Sequence, residues 1–284
     1  MSVKFINVSH IYSPKTPFEH TALTDINLEI KEGSFTAIVG HTGSGKSTLI
    51  QHINALLKPS KGKVKVDEFV ITNDSKTKNI KFLRKHAGIV FQFPEYQLFE
   101  STVEKDVMFG PLNFGSSEED AKEKAYKALA MVGIPASYYQ KSPFELSGGE
   151  KRRVAIAGIL AMEPRILVLD EPVAGLDPQG IEEIMNLFKK IHENGVTVIL
   201  VSHDMDVVLK YASDVVIMDE GRIIKTCKPF ELFADPDFEK YSLDMPLVYK
   251  FALKLKENGL DIDLTSIRTI EELVCAIKER RSKL

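Results

Sequence analysis

Short apolar runs closed by a glycine or a polar residue recur along the chain, with stretches of helical spacing between them. Phe35–Val39, 88–91, Ile166–Leu169 and 196–201 are such runs. Their length and β-branched content predict buried strands of one sheet. Val3–Val8 and 23–30 alternate weakly and predict strands of another kind, as do 64–66 and Phe69–Ile71. Val215–Met218 and Arg222–Lys225, flanking Asp219-Glu220-Gly221, predict a hairpin. Helical spacing dominates 116–132, where Ala121, Ala125, Leu129 and Val132 share a face and Ser116 and Glu119 have capping-box spacing. It returns after Ser147, again through Ile181, Ile184, Met185, Phe188 and Ile191, and twice more near the C-terminus. Segment 73–79 reads as a polar surface loop. Strands alternating with helices predict an α/β fold.

Composition narrows the class. Among 284 residues, 44% are hydrophobic and 27% charged, as in ordinary globular proteins. The net charge of −3 gives no reason to expect nucleic acid as a partner. Two distant cysteines, Cys227 and Cys275, predict neither a disulfide framework nor a metal cluster. The first ten residues lack the apolar core of a signal peptide, and no run approaches the ~20 residues of a membrane span. The chain is expected not to cross the bilayer itself, which leaves open docking on something that does.

The chemistry begins at GHTGSGKST, residues 40–48. Gly40, Gly45, Lys46 and Ser47 match the fixed positions of a P-loop, between a predicted strand and a predicted helix. Around them His41, Thr42, Gly43, Ser44 and Thr48 offer backbone N–H groups to phosphates. Lys46 is expected on the β- and γ-phosphates of ATP, and Ser47 on Mg²⁺. The run Ile166–Leu169 ends in Asp170 and Glu171. There Asp170 would hold Mg²⁺ and Glu171 would polarise the attacking water. Gln92 closes another strand and reads as a metal or water ligand, or as a turn cap. Tyr12, ahead of the P-loop, reads as a base-stacking ring or as a surface tyrosine; composition favours the latter. Ser147, Gly148, Gly149 and Glu150 have capping-box spacing. Two glycines inside such a box weaken the helix, which favours a second anion site. Asp177-Pro178 predicts a helix start, and His203 follows the run 196–201.

LSGGE at 146–150 lies between the P-loop and ILVLDE at 166–171, with AGLDP at 174–178 and SHD at 202–204 beyond. In this order the chain resembles an ATP-binding-cassette ATPase over about residues 3–230. The resemblance implies a P-loop NTPase, RecA-like core at 1–92 and 159–235. It implies an inserted helical subdomain at 93–158, with 236–284 as a C-terminal helical extension. It makes Tyr12 the adenine-stacking aromatic, Gln92 the Q-loop residue and His203 the switch histidine. Ser147, Gly148 and Gly149 would face a partner's ATP, with Asp177 as the D-loop aspartate. Two such domains would sandwich two ATP molecules head to tail. Glu150 and Val173 depart from the common Gln and Thr at positions that do no chemistry.

FPEYQLFE at 93–100, with DVMFGPLNFG at 106–115, is similar to the ATPase subunits of energy-coupling factor transporters, and the P-loop region to the second of the usual pair. This implies a heterodimeric second ATPase and a membrane coupling subunit docking near Glu95, Tyr96 and Gln97. It also implies a substrate-binding membrane subunit, and work at the cytoplasmic face of the membrane driving uptake of a vitamin or metal ion. Glu95 and Gln97 would pair with arginines of the coupling subunit. A DNA-acting ATPase would need a coiled-coil insertion, a ribosome-binding factor two cassettes, and a small-molecule kinase no LSGGE. A conventional nutrient importer is the nearest alternative, and FPEYQLF is the feature against it.

Overall fold

The computed structural model describes residues 2–260 and 262–281. In chain order the strands are β1 (Ser2–Tyr12), β2 (His20–Lys31), β3 (Phe35–Val39), β4 (Lys61–Val66), β5 (Phe69–Ile71), β6 (Ala87–Val90), β7 (Ile166–Asp170), β8 (Thr197–Val201), β9 (Asp214–Asp219) and β10 (Arg222–Cys227). The helices are α1 (Lys46–Gln51), α2 (Thr77–His86), α3 (Val103–Asn113), α4 (Glu118–Met131), α5 (Gly148–Leu160), α6 (Pro178–Glu193), α7 (Met205–Tyr211), α8 (Pro229–Phe233), α9 (Leu247–Glu257) and α10 (Ile270–Arg281).

The strands form two sheets. One is antiparallel, ordered β2-β1-β4-β5; the other is ordered β10-β9-β3-β8-β7-β6 and is parallel except at its β10 edge. Every residue of β3, β6 and β8 is buried, which is why those runs carry no polar alternation. Alternate residues serve two cores. Val39, Leu169 and Leu200 face one built with α3–α7; Ile38, Val168 and Ile199 face another beneath the antiparallel sheet.

Register places the chemistry. Ile38 pairs Val201, Val201 pairs Asp170 and Leu169 pairs Val90. The P-loop, Gln92, Asp170-Glu171 and Ser202-His203 therefore leave the sheet at one edge, the carboxyl ends of parallel strands.

Several elements depart from the sequence reading. Helix α4 starts one residue late: Ser117, not Ser116, is its cap, and it accepts the Asp120 N–H at 3.2 Å. Ser116 instead receives the Lys124 ammonium. Helix α2 takes the end of the expected loop at 73–79; among its described side chains Ile80 and Leu83 are buried, in a stretch otherwise mostly polar. Helix α3 runs through Gly110 and Pro111, both poor helix formers. A Cβ on Gly110 would lie 3.0 Å from the Met162 side chain, so close helix packing explains the glycine. At the C-terminus Val248, Tyr249, Ala252, Ile262, Ile267 and Leu273 join the larger core, so this region packs on the main body. Leu247 and Phe251, expected on the apolar face of α9, are instead exposed. Among the described residues no helix is long and apolar enough to cross a membrane.

Candidate active site

The P-loop backbone is dictated at three glycines. Gly40, Gly43 and Gly45 have φ of 148°, 87° and 98°, all in the region that favours glycine. A Cβ on Gly40 would also lie 2.2 Å from the Met218 carbonyl, and one on Gly45 2.8 Å from that of Ala22. Gly43 faces open space, leaving room for a phosphate. Helix α1 has no side-chain cap, so its first N–H groups are left to a ligand. The buried Lys46 ammonium crosses the loop, donating to the carbonyls of Gly40 at 2.7 Å and His41 at 2.9 Å. Burial pushes its pKa down; Glu171 and Asp170 oppose that in part. The His41 ring bridges the Thr42 carbonyl and Asp219, each at 2.7 Å.

Across the sheet edge, Ser47 Oγ lies 3.5 Å from Asp170 Oδ1. A hydroxyl facing a carboxylate beside a phosphate loop is the hard-oxygen set that suits Mg²⁺. Burial, then the Glu171 charge, raise the Asp170 pKa. Glu171 has φ 48° and is held there by its N–H to the Val201 carbonyl at 3.0 Å. Its Oε2 lies 3.3 Å from His203 Nδ1 and 3.4 Å from Gln92 Nε2. Both expected sensors thus converge on one carboxylate.

A cleft of 610 Å³ runs from Gln92 and Glu171, past Lys46, Ser47 and Thr48, to Tyr12; Asp170 and His203 are not among its lining residues and meet it through Ser47 and Glu171. The Tyr12 hydroxyl lies 3.2 Å from Thr48 Oγ1. Sequence reasoning missed His20, Thr21, Ala22, Glu220 and Gly221, which complete the wall. They arrive through tertiary pairing: the Gly221 N–H reaches Ser44 and its carbonyl accepts from Thr24. No local spacing announces that.

Ser147, Gly148, Gly149 and Asp177 are not among the residues lining the cleft. Ser147 forms a complete capping box with Glu150, receiving the Glu150 N–H at 3.4 Å while Glu150 accepts the Ser147 N–H at 2.9 Å. That hydrogen bond holds the Glu150 carboxyl below its usual range. Asp177 caps α6 through the Gly180 N–H at 2.7 Å. Gly148 and Gly149 are exposed and have helical φ, and a Cβ on either would meet nothing within 4 Å. Nothing in this chain requires them to be glycine.

The segment after Gln92 corrects one expectation. Glu95 is not a free carboxylate awaiting a partner's arginine. Arg152 grips it bidentately, Nε to Oε2 at 3.0 Å and Nη2 to Oε1 at 2.9 Å. The same guanidinium donates to the carbonyls of Ala174 at 3.0 Å and Pro172 at 3.4 Å. Burial would raise the Glu95 pKa; the Arg152 contacts outweigh it and hold the carboxyl below its usual range. Tyr96, by contrast, is 85% exposed, and Phe99 and Phe109 stand edge to face 4.8 Å apart at the surface. Beside them Gln97, Phe114, Ile159 and Met162 line a mostly apolar groove of 350 Å³.

A P-loop and an acidic strand end on one parallel sheet, with a serine-capped glycine pair opening a separate helix, define an ATPase of the ATP-binding-cassette class. The ABC transporter family profile matches residues 23–174, and one described as an AAA domain, putative AbiEii toxin, matches 139–210. The energy-coupling factor transporter ATP-binding protein EcfA2 of Spiroplasma kunkelii is 53% identical over all of this chain and 94% of its own length. That of Enterococcus faecalis is 52% identical over 98% of both. Among solved structures, cbiO1 of Clostridium perfringens, part of the cbiONQ transporter complex, is 41% identical over 90% of this chain and 96% of its own, with TM-score 0.74. The bacterial cassette MJ0796, solved as a dimer, is 33% identical over 80% of this chain and 98% of its own, with TM-score 0.71. The chain belongs to the ATP-binding proteins of energy-coupling factor transporters.

Proposed function

We propose that this chain hydrolyses ATP in a head-to-tail pair with a second cassette ATPase, driving uptake of a vitamin or metal ion through a membrane coupling subunit. The observation that carries the pairing is Gly148 and Gly149. Glycine costs about 0.5–1 kcal/mol relative to alanine in a helix interior, and even in the first turn it favours helix less than alanine does. Neither Gly148 nor Gly149 has a neighbour or a backbone angle in this chain to justify it. Their justification is a surface that approaches from outside, the partner's nucleotide.

Within the chain's own cleft, Lys46 and the N–H groups of 40–48 bind the phosphates, and Tyr12 stacks the base. Ser47 and Asp170, with Gln92 or its water, hold Mg²⁺, which when bound neutralises charge on the phosphate oxygens. Glu171 orients and polarises water, while His203 and Gln92 read the γ-phosphate through the carboxylate they share. Asp177 and Ser147 serve the second cassette's site across the pair. The core is assigned to 1–92 and 159–235, the helical subdomain to 93–158 and the extension to 236–284.

Tyr96, Gln97, Phe99 and Phe109, around the apolar groove, form the docking surface for the coupling subunit, at the cytoplasmic face of the membrane. A small substrate-binding membrane protein completes the assembly. The test is to tag this chain, extract source membranes in mild detergent and identify what co-purifies. A second cassette ATPase with a multi-span membrane protein is the expected result. Recovery of this chain alone contradicts the transport reading.

A further inference from the structure

Tyr12 stands on two buried histidines that the reaction does not use. His10 is 7% exposed and His52 fully buried. The His10 ring meets Tyr12 edge-on at 4.6 Å and His52 edge-on at 4.8 Å.

Hydrogen bonds fix both imidazoles. His52 Nδ1 lies 2.7 Å from the Thr48 carbonyl. A carbonyl only accepts, so Nδ1 carries the proton, and in a neutral ring Nε2 is then an acceptor. His10 Nδ1 lies 3.0 Å from the Lys58 carbonyl and 3.2 Å from His52 Nε2. Both neighbours accept, so the His10 Nδ1–H is shared between them. This assignment, both rings neutral with the proton on Nδ1, satisfies the contacts to Thr48, to Lys58 from His10, and between the rings. Burial agrees with it, lowering the pKa of His10 and taking that of His52 to about 4.

Thr48 closes the circuit. Its carbonyl anchors His52 and its Oγ1 meets the Tyr12 hydroxyl. The P-loop helix is thereby tied at one residue to both ends of a Tyr12–His10–His52 chain. Apolar side chains would fill this space without hydrogen bonds to satisfy; a fully bonded polar network specifies one geometry.

We propose that His10 and His52 are positioning residues for base recognition: they hold the Tyr12 ring in register with the P-loop, so that base and phosphates are gripped together. This rests on the reading of Tyr12 as the base-stacking residue. Neither histidine lines the cleft, so neither touches nucleotide directly.

The experiment measures Kd by calorimetry for MgATP and for Mg-tripolyphosphate, which has no base, on the full chain. His10→Asn keeps a donor for the Lys58 carbonyl but has no ring. Its preference for ATP over tripolyphosphate falls about fivefold, the scale of one edge-to-face contact, with tripolyphosphate affinity unchanged. His52→Asn, which keeps the donor to Thr48, shifts the preference in the same direction. His10→Phe restores the ring and most of the preference even where it lowers Tm. Tyr12→Ala removes the preference altogether. Equal losses for both ligands in the two Asn variants would mark a merely structural role and overturn the proposal. So would a wild-type preference in both while Tyr12→Ala loses it; that outcome leaves the Tyr12 reading standing. A wild-type preference in Tyr12→Ala would reject that reading and this proposal with it.

Discussion

Glu171 leaves β7 in a left-handed backbone conformation, its carboxylate between His203 and Gln92. Such a conformation costs a non-glycine residue about 1–3 kcal/mol and persists only where surroundings impose it. Here the bond to Val201 imposes it. Glu171→Gln keeps the side chain's size and position but not its basicity. We expect it to bind MgATP with unchanged affinity and to turn over at least ~100-fold more slowly, the usual size of general-base effects. Single-turnover kinetics with a binding isotherm check this, and near wild-type turnover would remove Glu171 from the role. At this scale the sequence was most legible where chemistry is contiguous. GSGKS and Asp170-Glu171 carry their meaning in adjacent residues, because a phosphate cradle is a local backbone shape. Tyr12 could not be decided locally, since two of the residues that orient it, Thr48 and His52, belong to the distant P-loop helix and its cap. His20 and Gly221 were invisible for the same reason.

At the scale of elements, the fully apolar runs became β3, β6, β7 and β8 because strands covered on both faces have no polar side to show. Helices α2 and α3 escaped because α2 is mostly polar along its length and α3 carries Gly110 and Pro111, both poor helix formers. The Glu95–Arg152 pair links the turn at Pro94–Gln97 to α5 and to the loop after Glu171. Its meaning changed most between sequence and structure. From sequence, charge reversal at Glu95 should release a membrane partner and leave ATP binding intact. With Arg152 4% exposed behind it, Glu95→Lys instead sets two cations together in a buried site. Breaking such a pair typically costs about 3–5 kcal/mol, so a clear fall in Tm is expected. Tyr96→Ala should leave Tm unchanged and weaken co-purification of the membrane subunit. Thermal melts of both variants, followed by pull-down, separate the two roles; an unchanged Tm in Glu95→Lys would show that the pair does not hold these elements together.

On the scale of the whole molecule, the residues expected around ATP fall into two sets. One lines or adjoins the cleft; the other, Ser147, Gly148, Gly149 and Asp177, lies at the starts of two helices and does not line it. On the paired reading proposed above, a single chain would hold one half of each of two sites. The outward Leu247 and Phe251 of α9, and Ile270 and Val274 of α10, leave further apolar surface uncovered. The proposed assembly was legible only through resemblance, because a surface that another chain would complete leaves no period in this one. The most direct measurement is ATP turnover by the purified membrane complex carrying Gly149→Leu in this chain. The substitution enters open space and improves helix propensity, so folding and ATP affinity of the isolated chain are expected to match wild type or better. Turnover in the complex should fall about 100-fold, as misplacing a reacting group by an ångström does. Wild-type turnover would mean that nothing approaches Gly149, and would contradict the paired site.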